Sequence, residues 1–156
     1  MKKSHGLPSA DRDRWGDALR YARVGVRSTR DVLTYLERRG ASPQTAARIL
    51  ADCRARGFLD DGTAARLWAE QWARRGYASS AIRVKLQAKG FEARISDEAA
   101  DRVGTPQADE ARARLLVASS LRRQAARQGR LARLARMLAS RGFDSDLIER
   151  VLARSP

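Results

Sequence analysis

From Arg112 to Phe143 the chain has nine arginines and no acidic residue. Placed on a helix at about 100° per residue with Leu115 at zero, Ala111, Ala118, Leu121 and Ala125 gather on one side, between about 240° and 320°. Arg112, Arg123 and Arg127 fall at about 60°, 80° and 120°, a stripe nearly opposite, while Arg114 and Arg122 lie near the apolar side and are expected to snorkel along it. A solvated helix face normally mixes signs. Three aligned arginines without a carboxylate, continued by Arg130, Arg133 and Arg136, read instead as a surface that tracks phosphates. Arg27 and Arg30 upstream and Arg74 and Arg75 in the middle of the chain complete the candidate set.

Other chemistries find little to work with. The one histidine, His5, stands in the N-terminal tail and the one cysteine, Cys53, on an apolar helix face. No metal cluster, no nucleophile–base set and no Gly-rich phosphate loop ending in Lys-Ser or Lys-Thr can be assembled, so neither an enzyme nor a cofactor is expected. Asp60-Asp61, the one Asp-Asp pair, reads as a helix N-cap with a dipole-favoured neighbour. Trp15, Trp68, Trp72, Phe58, Phe91 and Phe143 occupy helical or post-glycine positions; core packing is the expected role, with base stacking the lesser alternative.

The elements that must carry these residues follow from a phrase that occurs three times: Leu36-Glu-Arg-Arg-Gly40, Leu86-Gln-Ala-Lys-Gly90 and Leu138-Ala-Ser-Arg-Gly142, with glycines 50 and 52 residues apart. Each has an aliphatic residue upstream (Val32, Ile82, Leu134) and an apolar pair downstream (Ile49-Leu50, Ala99-Ala100, Val151-Leu152). A period of this length implies stacked structural repeats. The leucine fits the last turn of a helix capped by a left-handed glycine, and the cation before each glycine suits the negative end of the helix dipole. The basic residues of the phrase, Arg39, Lys89 and Arg141, are assigned to the helix end rather than to a partner.

Taken in order, residues 1–8 read as a tail. Ser9 opens a helix through Trp15, Ala18, Leu19 and Ala22, broken at Gly25. Ser28 caps a second, closed by Gly40. Ser42-Pro43 starts a third, ending at Gly57 with Phe58 making a Schellman contact. Asp60 or Asp61 caps a fourth that ends at Gly76, Ser79 or Ser80 a fifth, and a sixth runs from about Ala93 to Val103. Gly104-Thr105-Pro106-Gln107 is the best linker. Beyond it come helices from about Asp109 to Gln128, Leu131 to Ser140 and Ser145 to Ala153. The turn glycines Gly25, Gly76 and Gly129 precede the phrase glycines by 15, 14 and 13 residues. An all-α protein is expected: three tandem three-helix repeats forming an elongated, curved array, with a flexible tail at 1–8 and repeats at 9–57, 58–106 and 107–156.

Composition points the same way. The formal net charge is +14, and all but four of the 32 basic residues are arginine, the better bidentate phosphate ligand. Residues 1–59 carry +7, 60–106 carry +1 and 107–156 carry +6. Such an excess selects a polyanion or an acidic surface as partner. The longest apolar run, 115–118, is too short to cross a bilayer, no secretory signal is expected, and a lone cysteine suits a reducing cytoplasm.

The middle repeat then resembles the RecX regulators of the RecA recombinase. The residues that carry this are Gly57-Phe-Leu-Asp-Asp61, Trp68-Ala-Glu-Gln-Trp-Ala-Arg-Arg-Gly76 and Ile82-Arg-Val-Lys-Leu-Gln-Ala-Lys-Gly90. The first repeat matches in outline and the third through Arg141-Gly142-Phe143; the likeness covers about residues 15–153. Gly62-Thr63-Ala64 departs from the family's usual charged residue and Arg-Phe-Ala, and Ala78 stands where a second turn glycine is common. The resemblance implies a non-enzymatic, cytoplasmic protein of DNA repair, homologous recombination and the SOS response. It would bind the RecA–single-stranded-DNA filament along its groove and restrain ATP hydrolysis and strand exchange. The expected partners are the RecA filament and single-stranded DNA, with duplex DNA a further candidate, and neither a membrane nor a small molecule. A monomer is expected. Two other classes compete: a direct DNA binder of helix-turn-helix type, and a basic helical scaffold for an acidic protein.

Overall fold

A computed structural model describes residues 9–123 and 129–154. Its described residues form helices only: α1 (Ser9–Arg23), α2 (Thr29–Arg38), α3 (Pro43–Ala55), α4 (Asp61–Arg74), α5 (Ser79–Ala88), α6 (Ala93–Val103), α7 (Pro106–Arg123), α8 (Arg130–Ser140) and α9 (Ser145–Ala153). The tail at 1–8 lies outside the described residues.

The helices pack in threes around three separate cores. Ala18, Val32, Leu36, Ile49 and Cys53 fill the first; Ala65, Trp72, Ile82, Leu86 and Phe91 the second; Val117, Leu134, Leu138, Phe143 and Val151 the third. Burial in the first core pushes the Cys53 thiol up, with Asp52 adding to the shift. Phe58 and Leu59, which the spacing puts at the head of the second repeat, pack into the first core.

The phrase forms the expected helix end. Gly40, Gly90 and Gly142 take φ of 72°, 88° and 85°. Each closes a Schellman turn in which the next residue's N–H donates to the phrase leucine: Ala41 to Leu36 (3.0 Å), Phe91 to Leu86 (3.2 Å), Phe143 to Leu138 (3.3 Å). In the second and third repeats the phrase also joins one repeat to the one before. The Lys89 carbonyl accepts the Ser28 hydroxyl at 3.2 Å, and the Arg141 carbonyl accepts the Ala78 N–H at 2.9 Å. Ala78, the departure from the family pattern, is buried within the third core.

Carboxylates complete both joints. Ser28 caps α2 with a capping box to Asp31, and Asp61, one repeat on, accepts the Thr29 N–H at 2.7 Å. Asp60 caps its own helix through the Thr63 N–H (3.0 Å) and hydroxyl (2.6 Å). The expected serine cap of α5 is corrected: Ser79 is the first helical residue and the N-cap is Ala78, without a side-chain bond. Asp109 supplies the missing cap from the next repeat, accepting the Ser79 hydroxyl at 2.6 Å and N–H at 3.2 Å. Asp61 and Asp109 therefore do the same work at successive joints, each accepting the first helical N–H of a helix in the repeat before it.

Two boundaries also shift. α7 begins at Pro106, three residues before the expected Asp109, with the Thr105 hydroxyl accepting the Ala108 N–H at 3.1 Å. Half of the expected linker is thus the first turn of a helix, Pro at the first position presetting φ. The far end of that helix, placed at Gln128, lies outside the described residues beyond Arg123.

Candidate nucleic-acid interface

Arg112, the one member of the arginine stripe whose side chain is described, does not stand free as the sequence places it. α7 packs through Ala113, Leu116, Val117 and Ser120, whereas Leu115 is 70% exposed and Ala111 and Ala118 are also exposed. The packed face is rotated toward the arginines, because an alanine-rich helix gives the wheel few large side chains to orient it. Arg112 falls on its margin: its side chain is 15% exposed, ion-pairs with Asp109 and donates to the Val103 carbonyl at 2.7 Å. This arginine is spent on the second joint, locking the carboxylate that caps α5. The side chain of Arg123 and all of Arg127 lie outside the described residues.

The remaining candidates fall into three groups. Arg27 and Arg30 flank the start of α2; the Arg27 guanidinium lies 4.3 Å above Tyr21, and the exposed Arg30 runs over Gly90 at the first joint. Arg74 and Arg75 are exposed at the end of α4, with Arg74 at 3.9 Å from Glu70 and the Arg75 carbonyl bonded by Arg141. Arg130, Arg133 and Arg136 follow α8: Arg130 is half-buried, Arg133 and Arg136 exposed.

Three cations that the sequence does not single out for binding join them. Lys89 sits 4.3 Å above Trp68. Lys85 sits 5.7 Å from Trp72 and 4.5 Å from Tyr77. Arg141 lies 5.1 Å from the same tyrosine. The phrase residues Arg39, Lys89 and Arg141 therefore behave alike, each held over a ring, with Arg39 over Tyr35 at 5.2 Å. A signal for this existed, since Trp68 and Trp72 on α4 and Lys85 and Lys89 on α5 are each four apart, and antiparallel neighbours match such pairs face to face.

What separates these cations is their counter-charge. Arg39 pairs with Asp17 and Arg56, over Trp15, with Asp52. Lys85, Lys89 and Arg141 have no carboxylate partner among the described residues, nor has Arg27. A cation positioned by an aromatic ring has already lost part of its freedom, and without an acid its charge is open to an outside anion. At the second joint this produces a groove of about 500 Å³ lined by Tyr77, Ser80, Ala81, Val84, Lys85 and Gly142. Arg141 and Arg75 stand beside it. Concave, cationic and partly aromatic, it suits the sugar–phosphate strand of a nucleic acid.

Known proteins bear on the same chain. Residues 108–152 match the family described as RecX, third three-helix domain. A regulatory protein RecX of Streptomyces coelicolor is 35% identical over 132 residues, 83% of this chain and 70% of that protein. One of Leptothrix cholodnii is 31% identical over 141 residues, 88% and 85% of the two chains. The crystal structure of RecX from Lactobacillus salivarius superposes with a TM-score of 0.79 at 15% identity, over 94% of this chain and 97% of that one. A second crystal structure, of a regulatory protein RecX, gives 0.76 at 19%, over 99% and 82%. The two structures share the fold, and the sequence relatives show the family. The chain belongs to the RecX family of regulatory proteins.

Proposed function

We propose that this protein regulates RecA by binding, as a monomer, to the RecA–single-stranded-DNA filament and restraining its ATP hydrolysis and strand exchange. The repeats at 9–57, 58–106 and 107–156 act as successive contact units, with no catalytic group of their own. The observation that carries the reading is the set of ring-held cations without carboxylate partners among the described residues, Lys85, Lys89 and Arg141, placed beside the joints where the repeats meet. A surface of this kind follows a phosphate backbone without reading bases, which fits a filament regulator better than a sequence-specific binder. In the filament the cations meet the strand's phosphates and any protein contact adds to them.

The test is fluorescence anisotropy of the labelled protein against RecA-coated single-stranded DNA, naked single-stranded DNA and duplex, between about 50 and 200 mM salt. Affinity should be highest for the coated strand. Lys85→Ala with Lys89→Ala should weaken it and flatten the slope of log K against log salt by about 1.4, at about 0.7 per phosphate on a single strand. Equal affinity for coated strand and naked duplex would contradict the reading and favour a direct DNA binder. Tight binding without any DNA dependence would favour a scaffold for an acidic protein.

A further inference from the structure

Among the positions at which the repeats differ is the one three residues before the phrase leucine: Leu33, Arg83 and Ala135. Leu33 packs against the first core. Arg83 bridges α5 and α6, pairing with Asp97 at 2.7 Å and Asp101 at 2.8 Å. In the third repeat the counterparts of those acids are Glu149 and Ala153, and no long side chain stands where Arg83 would reach them. A trough of about 600 Å³ opens there between α8 and α9. Ala135, Ala139, Ile148 and Leu152 line it, and Leu131 at its end is 59% exposed. Arg136 borders it from α8 and Glu149 from α9, neither in an ion pair among the described residues.

We propose that this trough is a docking site for an amphipathic helix of a protein partner, which seats an aliphatic side chain over Ala135 and an acidic one against Arg136. The sister repeats show what the space takes: a leucine in one, the hydrocarbon stem of an arginine in the other. From Leu131 to Ala139 the floor runs eight residues, about 12 Å at 1.5 Å each, enough for two turns of a helix with anchors four apart. Opposite charges on the two lips fix the direction in which such a helix lies. A nucleic acid does not fit, because its phosphates would face an apolar floor and Glu149. A second copy of this chain is disfavoured by +14 on each molecule.

The site rests on the proposed action on the RecA filament, so that filament is the probe. Ala135→Arg gives the third repeat the second's own closure, an arginine facing Glu149, and Leu131→Arg charges the mouth at an exposed position. Each variant should bind RecA-coated single-stranded DNA about tenfold more weakly, the loss expected of one interface anchor. Affinity for naked single-stranded DNA and the melting temperature should stay at the wild-type values. If Ala135→Arg fails to fold, Leu131→Arg decides alone. Wild-type filament affinity in the folded variants would overturn the docking site and leave the RecA reading in place. Wild-type protein that binds coated strand no better than naked strand would overturn both.

Discussion

The second and third repeats share a plan and differ in what they leave unfilled. In the second, Trp68 and Trp72 lie 5.3 Å apart along α4, Arg83 ties α5 to α6, and Asp61 at its head caps the repeat before it. In the third, an alanine replaces the tie, and the head carboxylate Asp109 is itself locked by Arg112. The carboxylate of the second joint carries an ion pair, Asp109–Arg112, while an apolar trough stays open between α8 and α9 of the third repeat, where the docking site is proposed.

The joints offer the largest way to test that difference. Asp109→Ala removes the cap of α5 and strands the Arg112 guanidinium with little solvent around it; a loss of about 3 kcal/mol is expected in chemical denaturation. Asp61→Ala removes a cap alone and should cost about 1 kcal/mol. Equal losses would mean that the two joints are equivalent. The phrase glycines come next. A Cβ at Gly142 would lie 2.5 Å from that of Ala81, whereas Gly40 has nothing nearer than the tip of Arg14 at 3.8 Å. Gly142→Ala should therefore cost about 2 kcal/mol or more, and Gly40→Ala only the roughly 1–2 kcal/mol of the left-handed backbone.

Smaller effects sharpen the contrast further. Arg83→Ala should cost under about 1 kcal/mol, since both of its carboxylates are exposed, while opening in the second repeat a trough like that of the third; thermal melts would register it. Acid should weaken the second repeat's first helix slightly. The hydroxyl and N–H of Thr63 hold the Asp60 carboxyl below its usual 3.8, so its contribution is complete above pH 3.8 and is lost as pH falls through the lower folded-state value. Asp60→Asn should remove that acid-dependent part of the melting curve.

Much of this was legible in the sequence because it is local. The phrase, its glycine caps, the Ser28 and Ser42 starts and the three apolar sets depend on neighbours within one turn or one repeat. What escaped depends on residues far apart in the chain. The link from Asp109 to Ser79 spans 30 residues, and nothing near Ala78 shows that its helix is capped from elsewhere. α7 misled for another reason: alanine and leucine surround it, so Leu115 looks no less buried than Val117. The candidate site was partly within reach, in the matched spacing of Trp68/Trp72 and Lys85/Lys89. The missing reach at Ala135 becomes visible only once its equivalents Leu33 and Arg83 are seen to fill the same space.

The most direct measurement is the rate of ATP hydrolysis by RecA on single-stranded DNA as this protein is titrated in, at moderate salt. Hydrolysis should fall with added protein, and the Lys85→Ala, Lys89→Ala double variant should need a higher concentration for the same effect. A rate unchanged at saturating wild-type protein would contradict regulation through the filament.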